Sequence, residues 1–124
     1  MEIAGIHNLR ANIRYYNRKN EHQLDEVVKQ LTECMELMRT AKDIEKLMLL
    51  EARARQVYYP AFNVILKQKE FQFEKRTRRP PKDEINALIS FGNTLLYNMV
   101  LQAIWKTPLD PSIGVVHATS NRNY

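Results

Sequence analysis

The stretch DEINALISFGNTLLYNMVLQAIW, residues 83–105, decides the class of fold. Asp83 stands where a helix N-cap is wanted, and from Ile85 to Trp105 apolar side chains fall almost all round a helical wheel. That pattern predicts a long central helix buried on most of its surface. Its polar exceptions are ordered: Asn86, Ser90, Asn93 and Tyr97 recur at i, i+4, i+7 and i+11, one narrow stripe. A polar group buried without a partner costs roughly 1 to 3 kcal/mol, so the stripe reads either as a hydrogen-bonded seam between helices or as one wall of a polar cleft.

Working outward, the helical period continues upstream. Ile6, Leu9, Ile13 and Tyr16 share a face over residues 6–16, and Leu24, Val27, Val28, Leu31, Met35 and Met38 repeat at threes and fours up to about Thr40. Asp43 can cap a third helix whose core face is expected to hold Ile44, Leu47, Met48, Tyr58, Phe62 and Ile65. Pro60 should kink or interrupt it, since proline lacks the amide donor. Residues 67–82 show no sustained period and close on Pro80 and Pro81, which predicts a mobile loop with a frayed helical end at most. Downstream of Trp105, Thr107, Pro108, Asp110, Pro111 and Gly114 form a turn-rich connection into Val115, Val116 and His117. No internal repeat and no β-rich stretch occurs, so the predicted class is all-α, a compact bundle of about four to six helices around the 83–105 helix.

Length and composition set the bounds. The chain has 124 residues, 44% hydrophobic and 27% charged, enough for one core and too few for two ordinary domains. A single cysteine, Cys34, excludes an internal disulfide framework and a cysteine-rich zinc site, and fits a reducing, cytoplasmic setting. No run approaches the roughly 18 to 20 consecutive apolar residues of a membrane span, and the N-terminus has no apolar signal core, so no membrane partner is expected.

Charge is unevenly placed. Residues 67–82 carry seven cations (Lys67, Lys69, Lys75, Arg76, Arg78, Arg79, Lys82) against two anions, an excess equal to the net +5 of the whole chain. Arg10, Arg14 and Arg18 recur at i, i+4 and i+8, with Lys19 beside them, so on a helix they form one basic edge. Such runs are commonly just solvated faces. Interleaved with Tyr15, Tyr16, Phe71 and Phe73, they also suit nucleic acid, where cations neutralise phosphates and aromatic rings pack on sugars or bases.

Two residues stand out for chemistry. Glu51 falls on the apolar stripe of the third helix, with Leu47, Met48, Ala54 and Tyr58 around it. A carboxylate there must be protonated, paired or metal-bound, and Arg55 at i+4 offers an intrahelical partner. His117 follows an apolar pair and is read either as a hydrogen-bonded core histidine or as a ligand. The two lie far apart with no local ligand spacing, so periodicity does not join them. No phosphate-binding glycine loop, dinucleotide turn or serine nucleophile elbow is present.

The segments RRPPKDEINALISFG (78–92), LLY (95–97) and LDPSIGVVH (109–117), with LEARARQVYY (50–59) and NIRYY (12–16) upstream, resemble the CRISPR adaptation endonuclease/integrase family, the first of the numbered CRISPR-associated proteins. The resemblance spans essentially the whole chain. It implies that residues 1–124 are a single fragment of the family's helical catalytic domain, without the β-rich N-terminal domain that mediates dimerisation. It also implies that Glu51 and His117 are catalytic metal ligands for Mn²⁺ or Mg²⁺, with the third ligand, an acid, falling beyond Tyr124. Where the family usually carries Gly after this Glu, the chain has Ala52.

The resemblance further implies DNA as the partner, with Lys75, Arg76, Arg78, Arg79 and Lys82 on its backbone. Asn86, Ser90, Tyr97 and Arg55 would line the cleft beside the ion. A homodimer and a small ferredoxin-like CRISPR-associated protein are the implied protein partners. The function implied is cutting and joining of phosphodiesters during spacer acquisition. A non-catalytic helical nucleic-acid-binding module, in which Glu51 pairs with Arg55, and a related mobile-element integrase are the alternatives.

Overall fold

The computed structural model describes residues 2–114. Its element order is α1 (Glu2–Lys19), α2 (Asp25–Thr40), α3 (Ile44–Tyr58), a 3-10 turn at Tyr59–Ala61, α4 (Phe62–Leu66), a second 3-10 turn at Lys69–Phe71, and α5 (Glu84–Ile104). No strand occurs among the described residues, and the fold is all-α as its periodicities predict. Two compact units are present, Met1–Thr77 and Arg78–Tyr124.

In the first unit, α1, α2 and α3 pack on one another around Ile6, Ile13, Leu24, Leu31, Cys34, Met35, Met38, Leu50, Ala54 and Ala61. The stripe of α1 runs Ile3, Ile6, Arg10, Ile13, Asn17, so two of its five members are polar. Asn17 is buried and stitches the α1–α2 turn. Its Oδ1 accepts the Leu24 amide at 2.8 Å, and its Nδ2 donates to Asp25 Oδ1 at 2.6 Å. The start of α2 has no side-chain cap of its own, and Asn17 satisfies one of the open donors there from another helix. It also secures a turn in which Glu21 and His22 both take positive φ, 53° and 60°, a conformation disfavoured for residues with a Cβ.

Asp43 caps α3 as its position predicts, accepting from the Lys46 amide at 2.7 Å. The core face of α3 is Leu47, Leu50, Ala54, Val57 and Tyr58. Ile44 and Met48, expected on that face, are instead exposed, because the stripe settles one residue further round the helix. Pro60 ends α3 in the 3-10 turn that follows.

Apart from the 3-10 turn at Lys69–Phe71, residues 67–77 are irregular, but a buried side chain holds them in the middle. Phe73 is 4% exposed and packs against Tyr59 and Phe62, with ring centroids 5.9 and 6.4 Å away. This corrects the expectation of a loop loose along its length, and it takes Phe73 out of the set of rings available to stack on nucleic acid. Tyr15 and Tyr16 remain exposed.

In the second unit, Asp83 caps α5 by accepting twice from Asn86. Its carboxylate accepts from the Asn86 amide at 2.7 Å and from Asn86 Nδ2 at 2.8 Å, and Asn86 is fully buried. The expectation that α5 is buried along its length is not met. Only Ile85, Asn86 and Leu101 are buried, while Leu88, Phe91, Leu95, Leu96, Met99 and Val100 are exposed. The reason is arithmetic of surfaces: α5 is the one helix of its unit among the described residues, and a helix apolar all round cannot cover its own faces. The polar stripe divides accordingly, with Asn86 buried, Ser90 half-buried, and Asn93 and Tyr97 exposed. By length and composition α5 is also long and apolar enough to cross a membrane, although polar side chains interrupt every apolar run in it.

Candidate functional site

Glu51 is placed by the register of α3. Leu50 and Ala54 point into the core, so the next position falls on the shoulder of the buried stripe, and the Glu51 side chain is 14% exposed. One turn on, Arg55 Nη2 donates to Glu51 Oε1 at 2.6 Å. The geometry is that of a charge-assisted i, i+4 pair with the carboxylate sheltered and the guanidinium half in solvent. His117 and the stretch 115–117 lie outside the described residues.

A hard divalent cation depends on several donors in a fixed arrangement. Among the described residues no group of three or more His, Cys, Asp or Glu side chains is gathered closely enough to hold one. Residues 110–112 form a hydrogen-bonded turn. Asp110 Oδ1 accepts from the Ser112 amide at 2.8 Å and from its hydroxyl at 2.7 Å, closing a turn. Those two bonds hold the Asp110 carboxyl below its ordinary range.

The basic residues fall on both units. Lys75 is exposed, and Arg76 is half-buried with its guanidinium on the Thr77 carbonyl, both in the first unit. Arg78, Arg79 and Lys82, all exposed, belong to the second. Asn63 anchors the start of this tract, pairing with both backbone groups of Phe73. Nothing in the helical period singled out Asn63; its partner is ten residues away across an irregular segment.

A further basic group sits where α1 meets α2. Arg10, on the core stripe of α1, donates to Thr32 Oγ1 at 3.1 Å. Its guanidinium pKa is lowered by burial first, then by repulsion from Arg14 and Arg39, with Glu36 opposing. Arg39 could not be grouped with the α1 arginines from spacing, because it reaches them only through helix packing. On the same helix Lys19 donates to the Tyr15 hydroxyl at 2.8 Å and lies 4.5 Å from the ring centroid.

A family model described as "CRISPR associated protein Cas1" matches residues 3–124. The chain is 42% identical over 123 residues to a CRISPR-associated endonuclease Cas1 of Clostridium perfringens, covering 98% of this chain and 36% of that protein. It is 43% identical over 124 residues to one of Thermodesulfovibrio yellowstonii, again 36% of that protein. A solved CAS1 protein from Thermotoga maritima superposes with a TM-score of 0.74 at 35% identity, covering 99% of this chain and 38% of that one. The chain thus spans a little over a third of the length of the relatives it matches. With a match running over nearly every residue, the chain belongs to the CRISPR associated protein Cas1 family.

Proposed function

We propose that the chain is the helical part of a metal-dependent DNA endonuclease/integrase of CRISPR spacer acquisition. The observation that carries this reading is the sheltered carboxylate of Glu51, 14% exposed on the shoulder of α3, in a chain of this family. Relatives bearing the name endonuclease support the cutting activity, and their being CRISPR-associated favours this reading over a mobile-element integrase.

In this reading Glu51 and His117 contribute to holding Mn²⁺ or Mg²⁺, an ion that stabilises charge on the phosphate and activates the attacking oxygen. Arg55 orients the Glu51 carboxylate through its 2.6 Å hydrogen bond. Lys75, Arg76, Arg78, Arg79 and Lys82 neutralise backbone phosphates, which position a duplex without reading its sequence. Asn86 secures the start of α5, and Ser90 and Tyr97 lie further along that helix. DNA is the substrate, and a homodimer and a small ferredoxin-like CRISPR-associated protein are its proposed protein partners.

The test is Glu51→Gln in a full-length family protein carrying this sequence, assayed for Mn²⁺-dependent cleavage and strand transfer. Metal stabilisation is worth several kcal/mol and each 1.36 kcal/mol is tenfold, so a loss of about a thousandfold with DNA binding retained is expected. The close pair between Glu51 and Arg55 favours a second reading, a non-catalytic binding module. Unchanged cleavage in Glu51→Gln would remove Glu51 from the chemistry, and a parent protein that binds DNA without cleaving it would establish the second reading.

A further inference from the structure

Helix packing adds to the basic edge of α1 an arginine that no helical repeat announces, Arg39 of α2. Arg10 occupies a core-facing position between Ile6 and Ile13, where an apolar residue would serve packing better. Its guanidinium is not free to wander. Thr32 Oγ1 accepts from it at 3.1 Å while donating its own proton to the Val28 carbonyl at 2.8 Å, so the hydroxyl is oriented towards Arg10. His7 Nδ1 lies 3.5 Å from the other terminal nitrogen. A guanidinium carries five N–H donors in a rigid fork, more than these two contacts use.

Around this fixed fork the packing of α1 on α2 gathers like charge. Arg14, one turn along α1, and Arg39, from the end of α2, both sit close enough to repel Arg10. Glu36 is the acid that faces it, and Glu36 is itself only loosely paired with Arg39, at 3.8 Å with both side chains largely in solvent. Holding cations together in this way opposes folding, and an anion placed among them relieves it. A guanidinium fork matches the geometry of a phosphate group, and neighbouring arginines add to the charge that attracts it.

We infer that Arg10, Arg14 and Arg39 form a phosphodiester-binding surface on the α1–α2 face, separate in sequence from the basic tract at 75–82. The occupant is nucleic-acid backbone; this rests on the nucleic-acid reading above and deepens it. Arg14 and Arg39 are exposed and contact phosphate directly, and Arg10 supplies a pre-oriented anchor. Glu36 tempers the repulsion while the surface is empty.

The test uses the 124-residue chain and a short duplex of arbitrary sequence, with affinity followed by fluorescence anisotropy between 50 and 200 mM KCl. Each phosphate contact contributes about 0.9 to the slope of log affinity against log salt. The double variant Arg14→Gln, Arg39→Gln should therefore show a slope shallower by roughly 1.8 and weaker binding, with a melting temperature no lower than that of the parent. Arg78→Gln, Arg79→Gln serves as the comparison.

If that second pair loses affinity while the Arg14 and Arg39 variant matches the parent in affinity and slope, this inference fails and the nucleic-acid reading stands. A parent chain that binds no duplex overturns both. Inorganic phosphate at constant ionic strength gives the remaining arm. Should phosphate raise the melting temperature of the parent but not of the double variant, with DNA slopes unchanged, the surface takes a free oxyanion and the backbone assignment is wrong. Dependence of cleavage on Glu51 is read in a different assay, so its failure leaves this result intact.

Discussion

Asn63 and Phe73 are joined as though Asn63 were a neighbouring strand: Asn63 Nδ2 donates to the Phe73 carbonyl at 2.6 Å, and the Phe73 amide donates to Asn63 Oδ1 at 2.6 Å. The Phe73 ring is buried beside Tyr59 and Phe62 at the same place. One peptide in an irregular segment is thus fixed by both its polar groups and its side chain, immediately before Lys75 and Arg76.

Asn63→Ala removes both bonds and leaves two backbone groups beside a buried ring without partners. A cost of about 2 to 4 kcal/mol is expected, at roughly 1 to 3 kcal/mol for each buried group left unsatisfied. Urea denaturation of the two proteins measures it. Asn63→Asp keeps the acceptor for the Phe73 amide but loses the donor, and should fall between them. Equal stability of all three would mean that the pairing contributes nothing in solution.

Asn17 makes the corresponding prediction in the α1–α2 turn. Asn17→Ala withdraws the acceptor of the Leu24 amide and the donor to Asp25, in a buried position. About 2 kcal/mol of destabilisation is expected, in line with the loss of a helix cap plus a buried hydrogen bond. Amide hydrogen exchange at Leu24 should accelerate more than exchange in α3, which localises the effect.

The Glu51–Arg55 pair is predicted to matter little for stability. Arg55 is half in solvent and the pair lies within one helix, where such contacts contribute about 0.3 to 0.5 kcal/mol. Arg55→Gln should shift the urea midpoint by an amount near the limit of measurement. A loss above about 2 kcal/mol, the range of a buried pair broken on one side, would show that the carboxylate is buried more deeply than its 14% exposure indicates.

Asp110 offers a prediction in pH. Its carboxyl is lowered from 3.8 by the Ser112 hydroxyl and amide, so the folded form holds its proton less tightly than the unfolded chain. Stability from this turn is therefore complete above the unfolded value and is lost as pH falls through the lower folded value. Ser112→Ala removes the hydroxyl, the larger cause, and should move the Asp110 midpoint back up towards 3.8 in a carboxyl-detected NMR titration. An unmoved midpoint would mean that the hydroxyl contact does not form in solution.

The elements and their ends were largely readable from the chain, because those signals are local. Three- and four-residue spacing placed α1, α2, α3 and α5, and Asp43, Asp83 and Pro60 act where their chemistry requires. Glu51 also stood out, as a carboxylate beside an apolar stripe, and the stripe's true register explains its shelter. What periodicity could not say is which apolar face finds a neighbour. Ile44, Met48 and most of α5 look as apolar as Leu50 or Leu31 yet are exposed, because burial depends on what packs opposite. The same holds for Arg10 with Thr32 and Arg39, Asn17 with Leu24, and Asn63 with Phe73. Each of these polar side chains is ordinary in its own helical turn and acquires a role from residues 7 to 29 positions away. Helix formation is settled within a few residues along the chain, whereas partners of that separation meet only when the helices close on one another.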